Sequence, residues 1–116
     1  MRAVRVINKR NGTELAKQAR IADSFATRCR GLFGKQEFLP GEGLIIRPCR
    51  MVHMLFMRFP IDVVFCDVAN RVVSIEENLK PWRFSSYHPQ ARFVLEVPAG
   101  ICRSGGVAVG DEIELR

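Results

Sequence analysis

Two hairpin signals constrain this chain more than anything else in it. Residues 3–9, "AVRVINK", alternate in hydropathy and run into "RNGTELAKQARIA", where Asn11-Gly12 supplies the left-handed pair that a tight two-residue β-turn requires. Further on, "IDVVFCD" and "RVVSIEE" flank the turn segment "DVAN", and their period of two predicts a second antiparallel hairpin. A chain committed to two hairpins must bury sheet faces, so β structure dominates the expectation.

The remaining segments fit that frame. "DSFATRCRGLFG" offers Asp23 and Ser24 as N-caps, places Phe25, Cys29, Leu32 and Phe33 at helical spacing, and ends at Gly34, which predicts a short helix. "QEFLPGEG" is turn-forming and "LIIR" a strand. The run "MVHMLFM" reads as extended, broken from "IDVVFCD" by Pro60, which cannot donate to a sheet ladder. "LKPWRFSSYHPQA" reads as a long loop, followed by the strand "RFVLEVP", a short helix or turn in "AGICRSGG", and a last strand after Gly110-Asp111. With roughly six strands to two short helices, the expected architecture is mainly β within the α+β class: a small, partly closed β-barrel. At 116 residues it suits one domain, 1–116, able to bury its core without disulfides.

Composition excludes several classes. No apolar run approaches the ~20 residues that span a bilayer, and charges occupy the opening "MRAVRVINKRNG" where an export signal would be apolar, so a cytoplasmic location without membrane attachment is expected. Cys29, Cys49, Cys66 and Cys102 form no C-x-x-C pair and read as reduced thiols. The protein is basic, with net charge +6, and residues 1–58 hold 12 Lys+Arg against 4 Asp+Glu, which suits an anionic partner. No interleaving of aromatics and glycines of the RNA-binding kind is present, so nucleic acid is not the expected partner.

Chemistry concentrates in "CRMVHMLFMRFPIDVVF", residues 49–65. An extended 49–57 would place Cys49, Met51, His53, Leu55 and Met57 on one face, a soft-ligand set of the kind that holds Cu(I), although such residues also fill core gaps. His53 and Asp62 flank the proline and would meet across adjacent strands, where a carboxylate orients an imidazole; Cys49, Cys66 or Ser74 would then be the nucleophile. The competing reading has Asp62 accepting backbone N–H groups and pairing with Arg58. Trp82, in "KPWRF", belongs either to a pocket rim or to a loop tied over the barrel mouth. Asp111, in "VGDEIEL", is placed to accept backbone bonds as an Asx-turn.

Three stretches, "TRCRGLFGKQEFLPGEGLIIRPCRMVHMLFMRFPIDVVF", "VLEVPAG" and "GVAVGDEIEL", together resemble the domain of unknown function 192 family over about residues 20–116. The resemblance implies a compact β-barrel-like fold with a groove near the Pro-Ile-Asp segment. Its motif positions fall here on Arg28, Gly31, Leu32, His53, Met57, Arg58, Pro60, Ile61, Asp62, Glu96, Gly100, Gly110 and Asp111. The chain departs at Met54, where related sequences often carry a small hydroxyl residue, and its opening shows none of the export signal that many of them have, which favours the cytoplasm as the expected location.

The leading expectation is a small non-enzymatic binding domain, monomeric or weakly dimeric and without a cofactor. Its groove, with Arg28, His53, Arg58, Asp62 and Trp82 as ligand-binding residues, would take a small anionic ligand or a partner peptide. The alternatives are a hydrolytic enzyme using His53 with Asp62, and Cu(I) binding through Cys49, Met51, His53 and Met57.

Overall fold

The computed structural model describes residues 2–24, 27–28, 31–32 and 34–116. Among the described residues seven strands form one sheet: β1 (Ala3–Asn8), β2 (Thr13–Ala22), β3 (Glu42–Ile46), β4 (Ile61–Cys66), β5 (Val72–Leu79), β6 (Phe93–Pro98) and β7 (Ile113–Leu115), with one short helix described along its whole length, α1 (Ile101–Ser104). Their spatial order is β5-β4-β6-β3-β2-β1-β7, and every neighbouring pair is antiparallel except β2 with β3. Both expected hairpins are present. At the first, the Gly12 N–H donates to the Asn8 carbonyl at 2.8 Å, with Gly12 at φ 72°. At the second, the Asp67 carboxylate caps the turn by accepting the Ala69 and Arg71 N–H groups.

The sheet curls until its first and last strands approach. Arg71, just before β5, bridges to Glu112, just before β7. Beside that bridge the Val72 N–H donates to the Asp111 carbonyl and the Ile113 N–H to that of Asn70, each at 2.8 Å. The result is a partly closed barrel, sealed at this end and unpaired elsewhere between β5 and β7. Asp111 holds the seal: its carboxylate accepts from the buried Asn8 amide at 3.0 Å, from Arg10 Nε at 2.7 Å and from the Ala108 N–H at 2.8 Å. Those donors, Arg10 first, hold the Asp111 carboxyl down at about 2.

Strands β4 and β6 are buried along their whole length, so each has two apolar faces rather than one. Inside the curl lie Val64, Cys66, Phe93, Leu95 and Val97 with Val6, Leu15, Ile21, Ile45 and Ile113. On the outer face, Ile61, Val63, Phe65 and Val94 pack with Leu44, Ile46, Val52 and Met54. Two sheet faces that each bury this much apolar surface need a cover on the outside as well as a filled interior. Between β2 and β3 the approach is close, because a side chain at Gly43 would put its Cβ 3.1 Å from that of Ala16 and 3.2 Å from that of Ala19.

The outer cover is made of two irregular segments, residues 47–60 and 80–92. The extended strand expected over 49–57 does not join the sheet. It makes a single bridge, His53 to Phe84, and turns at Leu55-Phe56, with Phe56 at φ 64°. It is instead zipped to the 80–92 segment: the Met54 N–H donates to the Arg83 carbonyl, the Trp82 N–H to that of Met54, and the Ser85 N–H to that of Val52. The buried Ser85 hydroxyl oxygen accepts the Val52 N–H at 2.9 Å. Alternation survives locally, since Val52 and Met54 point into the outer core while Met51 and His53 stay exposed. The helix expected from Ser24 is described only in part: Thr27 and Arg28 are helical, the Ser24 Oγ caps the Thr27 N–H, and Phe25, Cys29 and Phe33 lie outside the described residues.

Candidate functional site

Where the 47–57 segment passes Arg28, Gly31 and Leu32 it leaves a groove of about 420 Å³. Ile46, Val52, Met54 and Met57 give it apolar walls, and among the described residues Arg28, Arg50 and His53 are its basic and imidazole groups and Glu96 is its only carboxyl. A concave, mostly apolar cavity with a few convergent polar groups is the usual form of a small-molecule site, and this volume falls within the usual range.

Each polar group is placed by a traceable local cause. Arg28 sits on the helical turn that Ser24 caps, its Nη1 donating to the Pro48 carbonyl at 3.3 Å. Its Nε is buried and has no acceptor among the described residues. His53 is held by its bridge to Phe84, and its Nδ1 accepts the Leu55 N–H at 3.3 Å.

Glu96 arrives from β6. Phe93, Leu95 and Val97 face the interior of the curl, so period-two alternation sends Glu96 outward with Val94. Its register partners on the two neighbouring strands are Leu44 and Val63, both buried and apolar. The side chain is 5% exposed and makes no hydrogen bond or ion pair among the described residues. Burial alone pushes its carboxyl up to about 8.

Of the residues expected from the sequence to bind, Arg28 and His53 line this groove, and Arg58, Asp62 and Trp82 are not among its lining residues. Arg58 donates from Nη1 to the Gln36 side-chain oxygen at 3.0 Å rather than to Asp62. Trp82 packs against Phe56 with ring centroids 4.8 Å apart and the rings tilted by 60°, both residues exposed and both in the left-handed region, at φ 68° and 64°.

Asp62 does not meet His53. It is 1% exposed, and both carboxylate oxygens are committed to backbone: Oδ1 accepts the Asn78 N–H at 2.8 Å, and Oδ2 accepts those of Gly100 and Cys102 at 3.0 Å each. The carboxylate thereby caps the first turn of α1, where the preceding Gly100 has no side chain of its own to do so. The Pro-Ile-Asp segment, which looks like chemistry in the sequence, ties β4, β5 and α1 together.

The three described thiols are disfavoured as nucleophiles. Cys66 is fully buried and pushed up to about 12, chiefly by burial, and Cys102 is raised further for the same leading reason. Cys49 lines the groove, but its thiol donates to the Met51 carbonyl at 3.1 Å and burial raises it as well, opposing the thiolate that a nucleophile or a soft metal would need. Among the described residues, no three His, Cys, Asp or Glu side chains group closely enough to hold a metal ion.

Arg50 and Glu96 are the charged groove residues that the expected ligand set left out, and Glu96 is the less legible of the two. Family resemblance puts it among the motif positions, but in "RFVLEVP" it looks like an ordinary solvent-facing glutamate. The one sequence signal was negative, a lone acid in a run otherwise apolar on both faces. The second histidine, His88, is engaged elsewhere: its Nε2 lies 2.8 Å from the Glu76 carboxylate and its ring packs on Phe65.

Comparison with known proteins supplies family but no activity. The chain is 38% identical to the UPF0127 protein of Pyrococcus furiosus over 115 residues, covering 94% of this chain and 96% of that one. It is 34% identical to that of Thermococcus sibiricus, covering 94% and 73%. A crystal structure from Novosphingobium aromaticivorans, of unknown function, superposes with a TM-score of 0.82 at 24% identity, covering 97% of this chain and 83% of that one. A Sinorhizobium meliloti protein described as a candidate transcription regulator superposes with a TM-score of 0.80 at 25% identity, covering 97% and 92%. Among the described residues no helix is long and apolar enough to cross a membrane. The profile of the family described as "Uncharacterized ACR" matches residues 6–115, which takes in most of the first hairpin, and the chain therefore belongs to this family, DUF192, also called UPF0127.

Proposed function

We propose that the protein is a small non-enzymatic binding domain whose groove beside the 47–57 segment takes a small ligand bearing an anionic group. One observation carries this reading: the buried Arg28 Nε has no acceptor among the described residues and belongs to a side chain that lines the groove. A buried donor without a partner is costly, and a carboxylate or phosphate oxygen would supply the missing bond with charge assistance. Arg50 and His53 stand beside it, and no carboxylate among the described residues lies within ion-pair distance of Arg28 or Arg50. The apolar walls suit a ligand with a short hydrocarbon body, and the cavity volume fits such a molecule better than a peptide segment.

The reading is tested by titrating hexanoate and hexyl phosphate into the protein by ¹⁵N NMR. Arg28→Ala should weaken binding at least tenfold, whereas Arg58→Ala, whose guanidinium is outside the lining, should change it less than twofold. Equal affinity in wild type and Arg28→Ala would overturn it.

A further inference from the structure

The groove holds a second unmatched group. Glu96 is nine-tenths buried, flanked by Leu44 and Val63 on the adjoining strands, and unpartnered among the described residues, yet it lines an open cavity instead of being sealed in the core. Buried carboxyl groups in folded proteins are almost always hydrogen-bonded or ion-paired, because leaving one without a partner costs more than the side chain returns by packing. A partner delivered by a ligand accounts for both the burial and the access.

We propose that the ligand is amphoteric: a protonated amine docks on Glu96 at the groove wall while the ligand's anionic group meets Arg28. This rests on the anion-binding reading of the same groove and names the ligand's other end. The choice of an amine follows from charge. A neutral carboxylic acid gains only a neutral hydrogen bond from an amide or hydroxyl, whereas an ammonium converts it into a shielded ion pair with charge-assisted bonds. Among the described residues the rest of the groove supplies no competing acid, since its other charged side chains are arginines. Arg28 and Glu96 together would therefore bind a molecule carrying both charges at a fixed spacing, as an amino acid or a short ω-amino carboxylate does, more tightly than a simple anion or a simple amine.

Binding would also move a proton. The free Glu96 carboxyl titrates near pH 8, so it is mostly protonated at pH 7; pairing with an ammonium ionises it, and its proton passes to the buffer.

The test compares ω-amino acids from 4-aminobutyrate to 6-aminohexanoate with carboxylates of the same chain length, by calorimetry at pH 7 in two buffers of different ionisation enthalpy. At least one amino acid should bind ten times more tightly than its matched carboxylate and release close to one proton. Glu96→Gln, which keeps shape and removes charge, should reduce that preference to within twofold and abolish the release. If carboxylates bind through Arg28 but the amino group adds nothing, or if Glu96→Gln retains the preference, the amphoteric assignment falls and the anion site stands. If neither series binds, the groove reading falls with it. Proton release is measured on the unaltered protein, so the outcome does not depend on a variant folding.

Discussion

Replacing Glu96 by glutamine should make the protein less sensitive to pH between 5 and 8, and more stable at the upper end of that range. The native carboxyl titrates near 8 and the unfolded one near 4.5. Between those values the unfolded chain has released its proton and the native chain has kept one, so the native state binds more protons and stability falls as pH rises. The full slope is about 1.4 kcal/mol per pH unit, and rounding at each end leaves a loss of about 3–4 kcal/mol from pH 5 to pH 8. Below pH 4 the two proteins should be nearly equal, since a neutral acid and an amide bury alike. Urea unfolding followed by circular dichroism at pH 5, 6, 7 and 8 gives the difference between wild type and Glu96→Gln. A difference that stays within about 1 kcal/mol across the range would show that Glu96 is solvated or partnered in the native state, and would remove the basis for assigning it to a ligand.

Three further outcomes follow from the structure. Asp62→Ala strands three backbone N–H groups, at Asn78, Gly100 and Cys102, and should cost about 3–5 kcal/mol in denaturant unfolding while the folded fraction still binds the groove probes; a loss under about 1 kcal/mol would mean that Asp62 is not the tie described. Gly105→Ala places a Cβ 2.5 Å from Leu15 Cδ2 and 3.0 Å from the Ile101 carbonyl, so overpacking should lower stability by about 1–3 kcal/mol, and an unchanged thermal midpoint would contradict the packing of α1 on β2. Cys66 and Cys102 should resist iodoacetamide at pH 7.5 until the protein unfolds, with Cys49 reacting slowly, as mass spectrometry of timed samples would record; prompt alkylation of Cys66 or Cys102 would refute their burial.

What was legible in the sequence was local. Asn11-Gly12 and the "DVAN" turn specify their hairpins through backbone conformations few residues tolerate, and Ser24 announces its cap. The misread parts depend on contacts between distant segments. Residues 49–57 alternate as a strand should, but their partner is the 80–92 segment, and the left-handed turn at Phe56 ends the extended run. Asp62 is readable as an acceptor of backbone N–H groups and is one; what the sequence does not show is that two of those donors come from Gly100 and Cys102, some forty residues later, and that Arg58 pairs with Gln36 instead. Glu96 is opposite in kind: its only local mark is that it is a lone acid among apolar neighbours, and its burial in the groove wall depends on segments distant in sequence.

Methionine offers the most direct view of the central claim, that the groove beside residues 47–57 is where this protein meets its ligand. Three of the four methionines, Met51, Met54 and Met57, line that groove. In protein carrying ¹³C-methyl methionine, titration with hexanoate and then with 6-aminohexanoate should shift those three signals saturably, and Arg28→Ala should abolish the response. Three methyl signals that stay fixed while backbone amides elsewhere respond would place the ligand on another face and contradict the account.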